Sequence, residues 1–272
     1  MAIITISRGS KSGGQEMAKC LAAQLQYPIV GREIVQEAAS RLKVSEEALS
    51  HQMEHTPKLW DRHAATRRLY VAAVQAALAE YVTEGDLVYH GLAGQLLLRG
   101  LPAVLRVRLI APRERRVRTL IEEHQMNEAS AEEFIQHVDG ARARWVKMMY
   151  GENIEDPALY DVVVNLETMS VAGASAALAT MAKRPDFAVT GEVRACLRAF
   201  RLASNVRVAL ARARETRPHN LDVLVEGGVV EISGSVPVLK TGRMGDRISE
   251  VARSVPGVEE VRMKLQWYDP YP

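Results

Sequence analysis

Residues 7–16 read Ser-Arg-Gly-Ser-Lys-Ser-Gly-Gly-Gln-Glu. Glycines, serines and a lysine in so short a run suit the holding of an anion: glycine lets the backbone approach closely, and successive N–H groups opening into a helix N-terminus favour phosphate. A second spacing, His51-Gln52-Met53-Glu54-His55, would set two histidines on one helical face, as in some zinc peptidases. No acidic ligand follows in a matching context, so this segment reads as solvated loop histidines and no metal site is expected. A third group is Arg194, Arg198, Arg201, Arg207, Arg212, Arg214 and Arg217, opposed locally by little beyond Glu192 and Glu215. It forms either a basic face for anionic lipid or polyphosphate, or an ordinary solvated helix.

The elements around the loop must hold it open. Ile3–Ile6 is a β-branched run ending at Ser7-Arg8-Gly9, and amphipathic spacing runs from Gly14 to Leu25, which predicts strand, loop and helix. Helices are expected over Arg32–Leu42 and His63–Val82, then short apolar strands at Asp86–His90 and Val104–Ile110 with a helical Ala93–Arg99 between them. Helices dominate from Arg113 to Tyr150, followed by a strand at Tyr160–Asn165 and a helix at Val171–Met181. The pattern predicts an α/β domain with a parallel sheet. It breaks at Lys183-Arg184-Pro185-Asp186, giving domains at 1–184 and 187–268. The second part predicts a helix over Thr190–Arg214, a hairpin of Leu221–Val225 and Val229–Ser233 about Gly227-Gly228, a helix at Asp246–Ser254 and a strand at Val258–Leu265.

The loop, YPIVGREIVQEAASRL, LVYHGLAG, VRLIAPRERRV, DGARARWVKMMYG and DPALYDVVVN together resemble the cytidylate kinase-like family of P-loop kinases, across residues 1 to about 183. The resemblance implies a five-stranded parallel sheet with a helical lid, and transfer of the ATP γ-phosphoryl group to a pyrimidine nucleoside monophosphate, CMP or dCMP, with Mg²⁺. It assigns the nucleotide phosphates to Gly9, Ser10, Lys11, Ser12, Gly13, Gly14, Gln15 and Glu16, with Arg113 or Arg116 beside them. Arg142 and Arg144 become lid arginines oriented by Asp139, and Arg32 a monophosphate contact; Asp61 and Arg62 could line the same pocket. Arginine suits these places because its planar fork pairs bidentately with phosphate and stays charged.

Three positions depart from the family. Gly14-Gln15-Glu16 stands where a Walker loop has Gly-Lys-Ser/Thr and the family often has Gly-Arg-Glu; Gly31 replaces an aspartate; Leu92 replaces an arginine. Losing a phosphate contact of this kind removes about 10²–10³ in rate, unless Lys11 substitutes. Two readings stay open: a kinase of reduced efficiency, or a non-catalytic nucleotide switch. A third is an acceptor other than a nucleotide.

The second part resembles a BON domain over about 187–267, on its pairing of Gly-Val-Val-Glu-Ile-Ser-Gly with Val-Pro-Gly-Val-Glu-Glu-Val. That resemblance implies binding of phospholipid or hydrophobic ligands; with the basic face, an anionic lipid or a protein partner is expected for this module, and no catalytic cluster. The 272 residues carry a net charge of +2, too mild to imply nucleic acid, and Cys20 and Cys196 lack metal-ligand spacing. With no signal-like start and no apolar run of about 20 residues, the chain is expected to be cytoplasmic.

Overall fold

The computed structural model describes residues 2–46, 64–237 and 241–269. Strand β1 (Ile3–Arg8) is followed by α1 (Gly14–Leu25), β2 (Ile29–Val30), α2 (Glu33–Leu42), α3 (Ala64–Val82), β3 (Leu87–Tyr89) and α4 (Gly94–Leu97). Then come β4 (Val104–Ile110), α5 (Arg113–His124), α6 (Glu128–Tyr150), β5 (Val162–Asn165) and α7 (Val171–Ala182). The five strands are all parallel, in the order β2-β3-β1-β4-β5. The chain leaves β1 towards one side and later returns to its other side at β4, so the loop after β1 lies at a topological switch point, where α/β sheets open a crevice for ligands.

Strand alternation divides the core. Ile4 and Ile6 face α1 and α7, packing with Met17, Leu21, Val107 and Leu178. Ile3 faces the other way, with Tyr89, Ile34, Leu78 and Trp145. Both faces are buried, as the apolar run of a central parallel strand requires. The expected helices and strands are found with shifts of a few residues. The two-residue β2, between Pro28 and Gly31, is too short for a periodicity signal.

The second sheet contains β6 (Leu221–Glu226), β7 (Val229–Pro237) and β8 (Glu260–Tyr268), in that order, with α8 (Gly191–Arg212) before it and α9 (Thr241–Arg253) between β7 and β8. The hairpin forms as expected: β6 and β7 pair antiparallel from Leu221↔Gly234 to Glu226↔Val229 around a two-glycine turn in which Gly227 has φ 60°. Strand β8 then adds to β7 in parallel.

Helix α8 ignores the sequence break. Leu197 and Val208, with Val193, Phe200 and Ala211, pack into the first domain's core, whereas Ala203, Val206 and Leu210 pack under the second sheet. Two apolar stripes at helical spacing thus fuse the two cores through one element. Its arginines are correspondingly engaged. Arg194 reaches Glu84 at 3.7 Å and Arg201 reaches Glu80 at 3.4 Å. Arg207 donates to the Val223 carbonyl at 2.6 Å, and Arg217 to those of Ala211 and Arg212. Arg194 and Arg201 thus brace the two domains, while Arg207 and Arg217 tie the helix and the chain after it within the second. None of the described helices is long and apolar enough to cross a membrane.

Candidate phosphate-binding site

The loop leaves β1 at Arg8 and enters α1 through Gly13, whose left-handed backbone (φ 80°) a β-carbon would strain. No side chain caps α1 at Gly13, so the first-turn N–H groups keep the orientation and partial positive charge that bind anions. The Ser12 hydroxyl donates to the Gly9 carbonyl at 2.6 Å and closes the turn from inside. Ser10 is clamped from two helices. Its N–H donates to Asp139 Oδ1 at 2.7 Å, its carbonyl accepts from Arg116 Nε at 2.6 Å, and Arg116 pairs with Asp139. Lys11 pairs with Glu123 and lies 3.1 Å from His124 Nε2.

Arg8, which sequence reasoning passed over, is the central cation. A β-carbon on Gly14 would sit 1.7 Å from Arg8 Cδ, so the second glycine of the pair exists to let the arginine lie across the start of α1. Burial, then the neighbouring charge of Arg142, pull the Arg8 pKa down to about 10, and it remains a cation at neutral pH. Arg142 also approaches the loop, its Nη1 3.4 Å from Ser10 Oγ. The adjacent glycines were the available signal: Gly13 is required by backbone angle, leaving Gly14 to be explained by close approach.

Arg8 and Arg142 both line two cavities. One, of 730 Å³, lies along the loop and includes Gly9, Lys11, Gln15 and Glu16. The other, of 280 Å³, lies at the ends of β1 and β3 and includes Arg32, His90 and Leu92. In the smaller cavity a β-carbon on Gly31 would come within 2.5 Å of the His90 ring. The glycine that stands in place of the family's aspartate makes room for this histidine. Burial and the charge of Arg8 lower the His90 pKa, with Glu33 opposing. Its Nδ1 is buried without a hydrogen-bond partner. Arg32 is paired with Glu46 at 2.5 Å, while Leu92 adds apolar wall.

A cytidylate kinase-like family profile matches residues 3–168. The chain belongs to the cytidylate kinase-like family. A BON domain profile matches residues 199–267. No curated protein matches the chain. Among solved structures, an uncharacterized protein from Eubacterium ventriosum aligns with TM-score 0.52 and 16% identity over 68% of this chain and 100% of its own. TT1252 from Thermus thermophilus aligns at TM-score 0.40 and 19% identity, covering 67% and 97% of the two chains. A shikimate kinase from Bacteroides thetaiotaomicron aligns at 0.39 and 13%, covering 67% and 99%.

Within this cytidylate kinase-like domain the expected residues divide clearly. Gly9, Ser10, Lys11, Gly13, Gly14, Gln15, Glu16 and Arg142 line the loop cavity, Arg32 lines the smaller one, and Ser12 is buried beneath the turn. Arg116 and Asp139 brace Ser10 from behind, and Asp139 pairs with Arg116. Arg113 pairs with Glu132 at 3.6 Å and Arg144 lies against Gly140, and neither lines the loop cavity or the smaller one. Arg115 stands in the loop cavity instead and donates to the Leu166 carbonyl at 2.5 Å. Asp61 and Arg62, with His51–His55, lie outside the described residues. The uncapped helix start and the flanking cations suit a polyphosphate chain, and exposed Glu16 is a carboxylate suited to the divalent cation it carries.

Proposed function

We propose that the first domain is a phosphotransferase that moves the γ-phosphoryl group of ATP to a nucleoside monophosphate, CMP or dCMP. The observation that carries this reading is that Arg8 and Arg142 line both cavities. Transfer joins an acceptor phosphate oxygen to the γ-phosphorus and breaks that phosphorus's bond to the β–γ bridging oxygen, leaving ADP. Charge spreads over the equatorial oxygens between the two sites, where two guanidinium groups stabilise it by charge-assisted hydrogen bonds. Mg²⁺ bound with the nucleotide supplies further neutralisation. The helix start, Gln15 and Lys11 hold the donor phosphates; Arg32 and His90 face the acceptor, and Val35, Leu92 and Ile154 give it an apolar wall. The second domain serves as a binding module for an anionic lipid or a protein partner, in a cytoplasmic protein.

A non-catalytic reading rests on a different observation: Asp139 and Glu123 already hold the Ser10 N–H and Lys11. There, nucleotide exchanges with internal carboxylates and signals through α5 and α6. A coupled ADP-release assay across the monophosphates, run beside nucleotide calorimetry, separates the two. ATP plus CMP giving ADP and CDP supports the transferase, with Arg142→Ala lowering turnover more than ATP affinity. Binding without turnover for every acceptor selects the switch.

A further inference from the structure

A third cavity, of 560 Å³, lies where the two domains meet and belongs to neither site above. Its walls come from α3, the end of α6, and the segment joining α8 to β6. Arg67, Arg68, Arg207 and Arg217 line it against a single acid, Asp222. Among the described residues none of these four arginines has a carboxylate within ion-pair distance. Arg68 donates to the Arg217 and Pro218 carbonyls at 3.2 Å, while Arg67 has no described hydrogen-bond partner. Burial and its neighbour Arg67 lower the Arg68 pKa, as expected where positive charge is gathered without an anion. Apolar wall comes from Met148, Met149 and Leu210. Methionine adapts to flat or irregular apolar bodies, and a mostly apolar cleft with a few convergent charges is the usual form of a small-molecule site.

We propose that this junction binds a small organic phosphate, its phosphate on Arg67, Arg68 and Arg217 and its apolar body on Met148, Met149 and Leu210. Charge complementarity selects the anion and the methionine wall selects an organic one over inorganic phosphate. Met148 lies six residues along α6 from Arg142, about 9 Å at the helical rise, with buried Trp145 and Val146 between them. Occupation of the junction therefore bears on the helix that reaches the phosphate loop.

The test is calorimetry on the full chain with two probes, ATP and monomeric dihexanoyl phosphatidate, which distinguish a nucleotide from a lipid headgroup as the phosphate's source. The expected result is one-to-one binding of at least one probe, beyond any event abolished by Arg8→Ala. It should weaken about tenfold in Arg67→Ala/Arg68→Ala, the scale of a lost charge-assisted contact. Because Arg68 also braces the chain, Asn220→Glu supplies a second variant: this exposed residue lines the cavity, so its carboxylate should repel the ligand in a folded protein. The Arg8→Ala background keeps this outcome separate from failure of the phosphotransferase reading. Absence of binding by both probes, or binding indifferent to the arginine pair and to Asn220→Glu, overturns the proposal.

Discussion

The two sheets of this chain solve different problems. The five-stranded sheet is covered on both faces, and its strand ends deliver Arg8, Gly31 and His90 to one crevice. The three-stranded sheet is covered on one face by α8 and α9; the other carries Asp222, Glu231, Arg262 and Lys264, with Lys264 and Glu231 paired at 2.8 Å. A doubly covered parallel sheet must turn its loops outward at the strand ends, which concentrates backbone N–H groups and side chains there. A singly covered sheet offers a face and an edge. The first arrangement lends itself to chemistry and the second to contact.

The largest expected effect attacks the crevice. Gly14→Val pushes a side chain into the space of Arg8, and both it and Arg8→Ala should lower ADP formation by about 10²–10³, the scale of one lost transition-state charge contact. Full turnover in either variant would remove Arg8 from the mechanism. The second experiment asks whether the sheets are energetically separate. Leu197→Ala opens a hole in the first core from the helix that carries the second, and should cost about 2–5 kcal/mol by denaturant titration. Leu224→Ala, at a position 64% exposed, should stay within about 0.5 kcal/mol. Equal effects would mean that α8 is not the shared element.

Gln15→Lys comes third. The side chain is exposed in the loop cavity, so an added cation should tighten ATP binding about tenfold through one charge-assisted hydrogen bond. Lys11→Ala should matter less, since Glu123 already neutralises that lysine. A larger loss for Lys11→Ala than gain for Gln15→Lys in calorimetry would reverse these roles.

Sequence periodicity revealed the strand–loop–helix opening, the order of elements and the glycine hairpin, because apolar alternation and glycine turns are local signals. Arg8 was missed because its role depends on what lies across Gly14, a tertiary approach with no one-dimensional signature beyond a second glycine. A sequence reading that names Arg113 or Arg116 passes over Arg115 for a similar reason: four arginines within residues 113–118 share one helix turn or the next, and only packing against the loop decides which point inward. The place of α8 was half legible. Its stripe beneath the hairpin fits the expected second module, but the opposite stripe of Val193, Leu197 and Val208 has meaning only beside α3.

The smallest expected effect concerns pH. Burial and Arg8 hold the folded His90 pKa below its ordinary value near 6.5, so the unfolded chain binds the proton more readily. Stability is then full above about pH 6.5 and declines as pH falls from there towards the folded value. His90→Asn should flatten that segment of the stability profile in thermal melts from pH 7.5 to 5. An unchanged slope would show that other groups carry it.

The sharing of α8 also bears on how the chain can be divided. A fragment ending at residue 184, where composition suggests a seam, would lose Leu197 and Val208 and bare the alanine-rich side of α3 to water. The complementary fragment would carry an uncovered apolar stripe of its own. Truncation at the seam should therefore yield two sticky pieces, whereas a cut after Arg212 keeps the larger half's wall intact at the expense of the smaller one. The two halves are each other's solvent shield.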